Sequence, residues 1–282
     1  MRQIWRLALP GAVLACTAGC SEGILSPHGT VGDQEKTILL NSLGIMLAIV
    51  IPTIITTFAV AWWFRASNNR ARYRPDWQYS GRIEMIVWAI PAMVILLLGG
   101  IAWVGSHDLD PPKALASDHK AIEVQVVSLD WKWLFIYPDQ GIASVNHLVV
   151  PAGVPVSFRL TSASVMNSFF VPELGSQIYT MSGMVSRLNL EADKPGSYPG
   201  LSAQFSGDGF SGMRFTVEAV GQEQFAAWLA QTRDKGETLE MKTYQALAEP
   251  SKNVAPVTYG GVASGLFDKI VSAQTGDLQR EN

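Results

Sequence analysis

Few residues in the chain can do chemistry, and they are unevenly placed. Both cysteines, Cys16 and Cys20, lie among the first twenty residues, and the four histidines are scattered at positions 28, 107, 119 and 147. That distribution excludes a disulfide scaffold and a cysteine-rich zinc site for the rest of the chain. Cys20 closes the run Thr17-Ala18-Gly19-Cys20, behind a basic start (Arg2, Arg6) and an apolar stretch over 7–18. This is the layout of a secretory signal, and its end resembles a bacterial lipobox, cut before the cysteine and acylated there. Thr17 stands where Leu is commoner, and Cys16 is a competing position; the bland alternative is a plain signal anchor. Acylation would add about 0.8 kcal/mol per buried CH2 to membrane anchoring. The other singular residue is Glu84, at the head of a charge-free run over 85–106. An ionisable group beside so apolar a stretch is costly, which makes Glu84 a candidate for proton transfer. The competing reading is a helix-start carboxylate favoured by the N-terminal dipole and paired with Arg82.

The elements that must position these residues follow from composition and pattern. The chain has 282 residues, 48% hydrophobic and only 16% charged. An ordinary charged share is about 25%, so the chain is neither disordered nor typical of a purely soluble protein. A net charge of -3 shows no global basic excess and argues against binding to phosphate backbones as the main role. Residues 37–64 contain no Asp, Glu, Lys, Arg or His, and carry Trp62 and Trp63 near their end. As a helix this run is about 42 Å long, more than a hydrocarbon core of about 30 Å. Pro52 lies inside it, and Pro91 inside the second run. Between the two, the segment 65–82 carries Arg65, Arg70, Arg72, Arg74 and Arg82 against the single Asp76. So basic a loop is expected on the cytoplasmic side, which puts both ends of the mature chain outside.

From Ala121 the period changes to that of strands: Ile122, Val124 and Val126 alternate with Glu123, Gln125 and Val127. A second apolar run, 131–137, ends in the turn signal Pro138-Asp139-Gln140-Gly141. Further strands are expected over 146–150, 154–160, 165–171, 185–190 and 213–220, punctuated by Pro and Gly. Many short strands with turns between them predict a sandwich or barrel. Beyond Gly221, Phe225, Trp228 and Leu229 follow helical spacing, as do Met241, Tyr244 and Leu247. The polar tail beyond Gln274 is expected to be loose.

Two spans followed by a β-sandwich resemble subunit II of the haem–copper respiratory oxidases. Glu84-Met85-Ile86-Val87-Trp88-Ala89-Ile90-Pro91 is similar to the start of that family's second span, and Asp130-Trp131-Lys132-Trp133 to its aromatic strand. Three longer segments resemble the bo-type ubiquinol oxidase subgroup: Trp131 to Pro138, Ser164-Val165-Met166-Asn167-Ser168-Phe169-Phe170, and Ser206-Gly207-Asp208-Gly209-Phe210-Ser211-Gly212-Met213. The resemblance implies a membrane hairpin followed by a cupredoxin-like Greek-key β-sandwich with C-terminal helices. The expected division is a signal over 1–19, an exported segment over 20–36, spans over 37–64 and 83–106, and a cytoplasmic loop over 65–82. A cupredoxin-like domain over 118–220 and a C-terminal helical extension over 221–282 follow.

In cytochrome c oxidases this domain holds two copper ions on a His, then on a run Cys-Ser-Glu-x-Cys-Gly-x-x-His-Ser-x-Met. Anchored at Met213, that run puts Ser202 and Ser206 on the cysteines, Gln204 on the Glu and Phe210 on the His; the upstream His position is Asn167. Bridging thiolates and imidazoles select copper, and here only Met213 remains. A copper-free domain is therefore expected, with Trp131 a core or interface aromatic rather than an electron relay. The resemblance then implies a non-redox structural subunit of a proton-pumping complex that oxidises ubiquinol and reduces oxygen. Haems and one copper are expected in the partner subunit I, and no cofactor on this chain. The expected setting is a bacterial inner membrane, with the sandwich on the periplasmic side and a lipid anchor at Cys20. Expected partners are subunit I, the further subunits and membrane lipid, with neither nucleic acid nor cytochrome c. In the family the residue matching Glu84 lies at the mouth of a lysine-containing proton channel of subunit I. Two other readings remain: a copper-containing, electron-accepting subunit II of a cytochrome c oxidase, and a membrane-tethered binding module unrelated to respiration.

Overall fold

The computed structural model describes residues 23–280 apart from 73 and 235, with side chains to 274. By internal packing the chain divides into a helical unit, Lys36–Asp110, and a second unit formed by the remainder. The signal segment, with Cys16 and Cys20, lies outside the described residues.

Helix α1 spans Thr30–Trp63 and α2 spans Gly81–Asp108. At about 1.5 Å per residue both are long enough to cross a bilayer. Their most apolar stretches are 0% buried within the structure. Phe58 and Trp88 are each 72% exposed and Leu96 76%, so neither helix is the core helix of a soluble domain. Both run through their internal prolines. Beside Pro52, the Thr53 hydroxyl donates to the Ile49 carbonyl at 2.8 Å, and Thr57 donates to Thr53 at 2.7 Å. At the C-terminal end of α1, Arg65 donates to the Trp62 carbonyl and Asn68 to the Trp63 carbonyl, satisfying groups that a helix end leaves open. Helix α1 starts before the charge-free run, at Thr30, and so takes in Asp33, Glu35 and Lys36.

The second unit is a β-sandwich. Its strands are β1 (Ile122–Leu129), β2 (Lys132–Tyr137), β3 (Ile142–Val145), β4 (His147–Pro151), β5 (Val156–Ser162), β6 (Asn167–Phe170), β7 (Ile178–Thr180), β8 (Ser186–Leu190), β9 (Gly196–Ser202) and β10 (Arg214–Val220). Helix α3 (Gln222–Asp234), β11 (Thr238–Leu239), α4 (Met241–Ala248), β12 (Val257–Tyr259), β13 (Gly261–Val262) and α5 (Leu266–Arg280) follow. One sheet runs β12-β3-β2-β1-β5-β8, the other β4-β10-β9-β6-β7. The pairs β1–β5 and β4–β10 are parallel and the other pairs of these sheets antiparallel, as crossing connections between two sheets require.

Strands β1 and β2 are buried on both faces, which explains their near-continuous apolar sequences. Val124, Val126, Trp133 and Phe135 point into the sandwich core. There Phe169 and Phe215 stack at 5.0 Å, with Trp133 at 5.5 Å from each. Val127, Leu129, Leu134 and Ile136 point the other way, onto Leu239, Tyr244, Phe267 and Ile270 of the extension. The alternation Val126-Val127, which would expose one Val on a one-sided strand, is thus satisfied by a second core.

Within the second unit the structure also departs from the sequence-based expectations. Strand β9 occupies Gly196–Ser202, where Gly and Pro had suggested turns. At Pro199 it has β10 as its neighbour, and it meets β6 only at Leu201 and Ser202, so the missing N–H breaks no ladder there. Gly200 is required because a Cβ would lie 2.2 Å from the Phe215 ring. The C-terminal extension is not wholly helical, since β12 adds to the first sheet and β11 pairs with β13. Helix α5 also continues past Gln274 to Arg280, because its apolar side, from Leu266 to Ile270, is anchored in the second core.

Residues ahead of α1 pack on the same unit. His28 N–H donates to the Glu173 carbonyl at 2.7 Å and Asp193 N–H to the His28 carbonyl at 2.9 Å. Gly29 fits because its position lies hard against the Glu191 carbonyl, 2.3 Å from where a Cβ would stand.

Candidate functional site

Of the residues that the sequence set against the copper run, the structure joins Asn167, Ser202 and the Gln204 backbone in one group and Ser206 with Met213 in another. Asn167 opens β6, Ser202 closes β9, and the two strands pair there. Loop 203–213 then carries Gln204, Ser206, Phe210 and Met213 back to β10. Asn167, Ser202 and Met213 are buried. The Ser202 hydroxyl donates to Asn167 Oδ1 at 3.0 Å and lies 3.2 Å from the Gln204 carbonyl. Asn167 Nδ2 donates to the Val165 carbonyl at 3.2 Å. Ser206 Oγ lies 3.9 Å from Met213 Sδ, a weak sulfur-acceptor contact. Phe210 packs edge-on against Phe205, with ring centroids 5.6 Å apart.

This donor set does not fit a dinuclear copper centre. Hydroxyl and amide oxygens are hard donors, a phenyl ring offers none, and one thioether cannot bridge two metals. The polar groups present are instead turned towards each other and towards backbone carbonyls, the arrangement that buried polar atoms need when no ion holds them.

Trp131 is the second residue of the two-residue turn between β1 and β2, whose flanking pair is Leu129 with Lys132. Its φ of 64° is left-handed, uncommon for a bulky residue. What holds it is the ring: Nε1 donates to the Ser206 carbonyl at 2.9 Å, and Gly209 lies under the indole, where a Cβ would be 2.3 Å away. Trp131 therefore packs as a half-buried aromatic on the sandwich core.

Sequence reasoning missed Lys132. It is 1% exposed, and its ammonium donates to the Glu249 carbonyl at 2.8 Å and to Ser251 Oγ at 2.6 Å. Burial pushes its pKa below the ordinary lysine range, against the opposing pull of Asp130 and Glu249. The available signal was its place in a strand apolar on both faces, where a charge must find partners.

Glu84 lies in the first turn of α2, exposed, with its N–H donating to the Ser80 carbonyl at 3.0 Å. Among the described residues no ion pair joins it to Arg82. Val165 (52% exposed), Met166 (40%) and Phe205 (72%), close in sequence to Asn167 and Gln204, and Met184 (56%) are large apolar side chains left exposed.

Residues 139–220 match the family described as "Cytochrome C oxidase subunit II, periplasmic domain", and residues 233–276 the family "COX Aromatic Rich Motif". Together with the cupredoxin-like sandwich, these define the class as an oxidase subunit II. The chain is 46% identical over 268 residues to "Cytochrome bo(3) ubiquinol oxidase subunit 2" of Pseudomonas aeruginosa, covering 95% of this chain and 80% of that one. It is 48% identical over 258 residues to "Ubiquinol oxidase subunit 2" of Acetobacter aceti, covering 90% and 83%. A "Quinol oxidase subunit 2" of Bacillus cereus is 36% identical over 254 residues, covering 88% and 87%. The chain belongs to the ubiquinol oxidase subunit 2 family.

Proposed function

We propose that this chain is the non-redox structural subunit of a proton-pumping complex that oxidises ubiquinol and reduces oxygen, with the haems and copper held by the partner subunit I. The observation that carries the reading is the donor set at the old copper positions: Asn167, Ser202, Ser206 and Phe210 supply neither thiolate nor imidazole. Without copper, a soluble cytochrome has no acceptor on this domain, and electrons must enter within the membrane from a lipid-soluble quinol. The two exposed apolar helices and the Arg-rich segment between them support a membrane hairpin with that segment in the cytoplasm and the sandwich in the periplasm. Cys20 is the proposed lipid attachment. The exposed apolar side chains around Phe205 support a role in covering subunit I, since patches of this kind mark contact surfaces.

Metal analysis of the purified complex tests the reading. It predicts copper equal to that of subunit I alone; copper in excess of one ion per complex would favour the electron-accepting alternative. For Glu84 we propose a place at the mouth of a proton channel of subunit I. Its exposure leaves it free to meet another subunit, while its place in the first turn of α2 also suits a carboxylate held by the helix dipole. Glu84→Ala is expected to slow quinol turnover and proton uptake together; unchanged rates would reject the channel role.

A further inference from the structure

Segment 249–254 lies between α4 and β12. It is tied to the sandwich from several sides. The buried Lys132 ammonium binds the Glu249 carbonyl and Ser251 Oγ at 2.8 and 2.6 Å. Asn146 accepts the Trp133 N–H at 2.8 Å and donates to the Val254 carbonyl at 2.8 Å, so one amide links the strand to the segment. Lys252 stands 5.3 Å from the centre of the Trp131 ring and 3.8 Å from Asp208 of loop 203–213. Asn253 takes a left-handed φ of 54° and sets its Oδ1 against Gly212, 2.7 Å from where a Cβ would stand. Trp131 completes the arrangement from the hairpin side, through Ser206 and Gly209 of the same loop.

Loop 203–213 needs such a fastener. Three of its backbone bonds are internal to it: Phe210 to Gly207, Gly212 to Gly209 and Met213 to Phe210. In a copper-holding domain the metal would cross-link this loop to the strand that carries the upstream His. We propose that segment 249–254 is a strap that braces loop 203–213 against the β1–β2 hairpin, as a metal would otherwise do: hydrogen bonds from the buried Lys132 and from Asn146 hold the strap to the sandwich, and the Lys252–Asp208 pair and the close approach of Asn253 to Gly212 hold it to the loop. The comparison with a metal rests on the copper-free reading above; the fastening itself does not. The strap also packs on the half-buried Trp131, with Lys252 5.3 Å from its ring centre and Gly209 against the indole.

Hydrogen–deuterium exchange of the intact complex tests the strap. Lys132→Met removes the ammonium and keeps the chain length of the side chain. Peptides covering 203–213 are expected to exchange about tenfold faster, the scale of a lost charge-assisted bond, with β5 and β8 unchanged. Lys252→Ala removes an exposed pair and the lysine's packing on Trp131, and is expected to raise exchange in the same peptides about twofold. Unchanged exchange of 203–213 in Lys132→Met overturns the proposal. If that variant fails to assemble, Lys252→Ala decides, and no change in its loop exchange overturns the proposal. Copper measured in the wild-type sample separates the two claims: copper on this chain refutes the copper-free reading while the exchange data still judge the strap.

Discussion

Replacing Ser202 by Ala is a direct probe of how the buried Asn167–Ser202 pair is held. The Ser202 hydroxyl and Asn167 are 2% and 1% exposed by residue, and the hydroxyl donates to Asn167 Oδ1 at 3.0 Å. Deleting it forfeits a bond worth about 1 kcal/mol net and leaves a buried amide oxygen without that donor. The expected cost is about 1–3 kcal/mol. Asn167→Ala also removes the bond to the Val165 carbonyl and some packing, so it is the costlier single change. Because both variants break the same bond, the double variant should cost about 1 kcal/mol less than the sum of the singles. Urea unfolding of the full chain in detergent, followed by the β-sheet circular dichroism signal, measures all three. Strictly additive costs, or a neutral Ser202→Ala, would refute the idea that these groups hold one another. Stability lost on adding a copper chelator would refute it more deeply.

Two other outcomes follow from the geometry. Gly209→Ala sets a Cβ 2.3 Å from the Trp131 indole, so the ring must move; overpacking of this kind costs about 1–3 kcal/mol, and faster proteolysis within loop 203–213 would register it. Burial first, and then Asp193, raise the Glu191 pKa above its ordinary value. The folded state therefore holds its proton more tightly than the unfolded state, and stability falls as pH rises above about 4.3. Glu191→Gln should unfold at a higher temperature than wild type at pH 7, the difference closing as both states protonate below about pH 4. An equal gap at both pH values would contradict the assignment.

Much of this architecture was legible in the sequence because the signals were long or periodic. The two charge-free runs, the alternation from Ile122 to Val126 and the helical spacing of Phe225, Trp228 and Leu229 each repeat one constraint many times. What escaped depended on neighbours distant in the chain. Strand β9 hides behind Pro199 and Gly200, which are tolerated only because of a missing neighbour strand and the Phe215 ring. Strands β3 and β7 are only four and three residues long, too short for a pattern. At the site the sequence supplied a ligand count, Asn167, Ser202, Ser206 and Phe210 set against the resemblance's copper run, while the hydrogen bond from Ser202 to Asn167 is visible only in the fold. The strap was not legible, because its ties join Lys132 and Asn146 to carbonyls more than a hundred residues away, and carbonyls leave no trace in side-chain identity.

In the proposed function electrons do not pass through this chain. Oxygen uptake by the complex, purified through a tag on this chain and supplied with either ubiquinol or reduced cytochrome c, tests it most directly. Uptake with ubiquinol alone is the predicted result; sustained uptake with cytochrome c would contradict it.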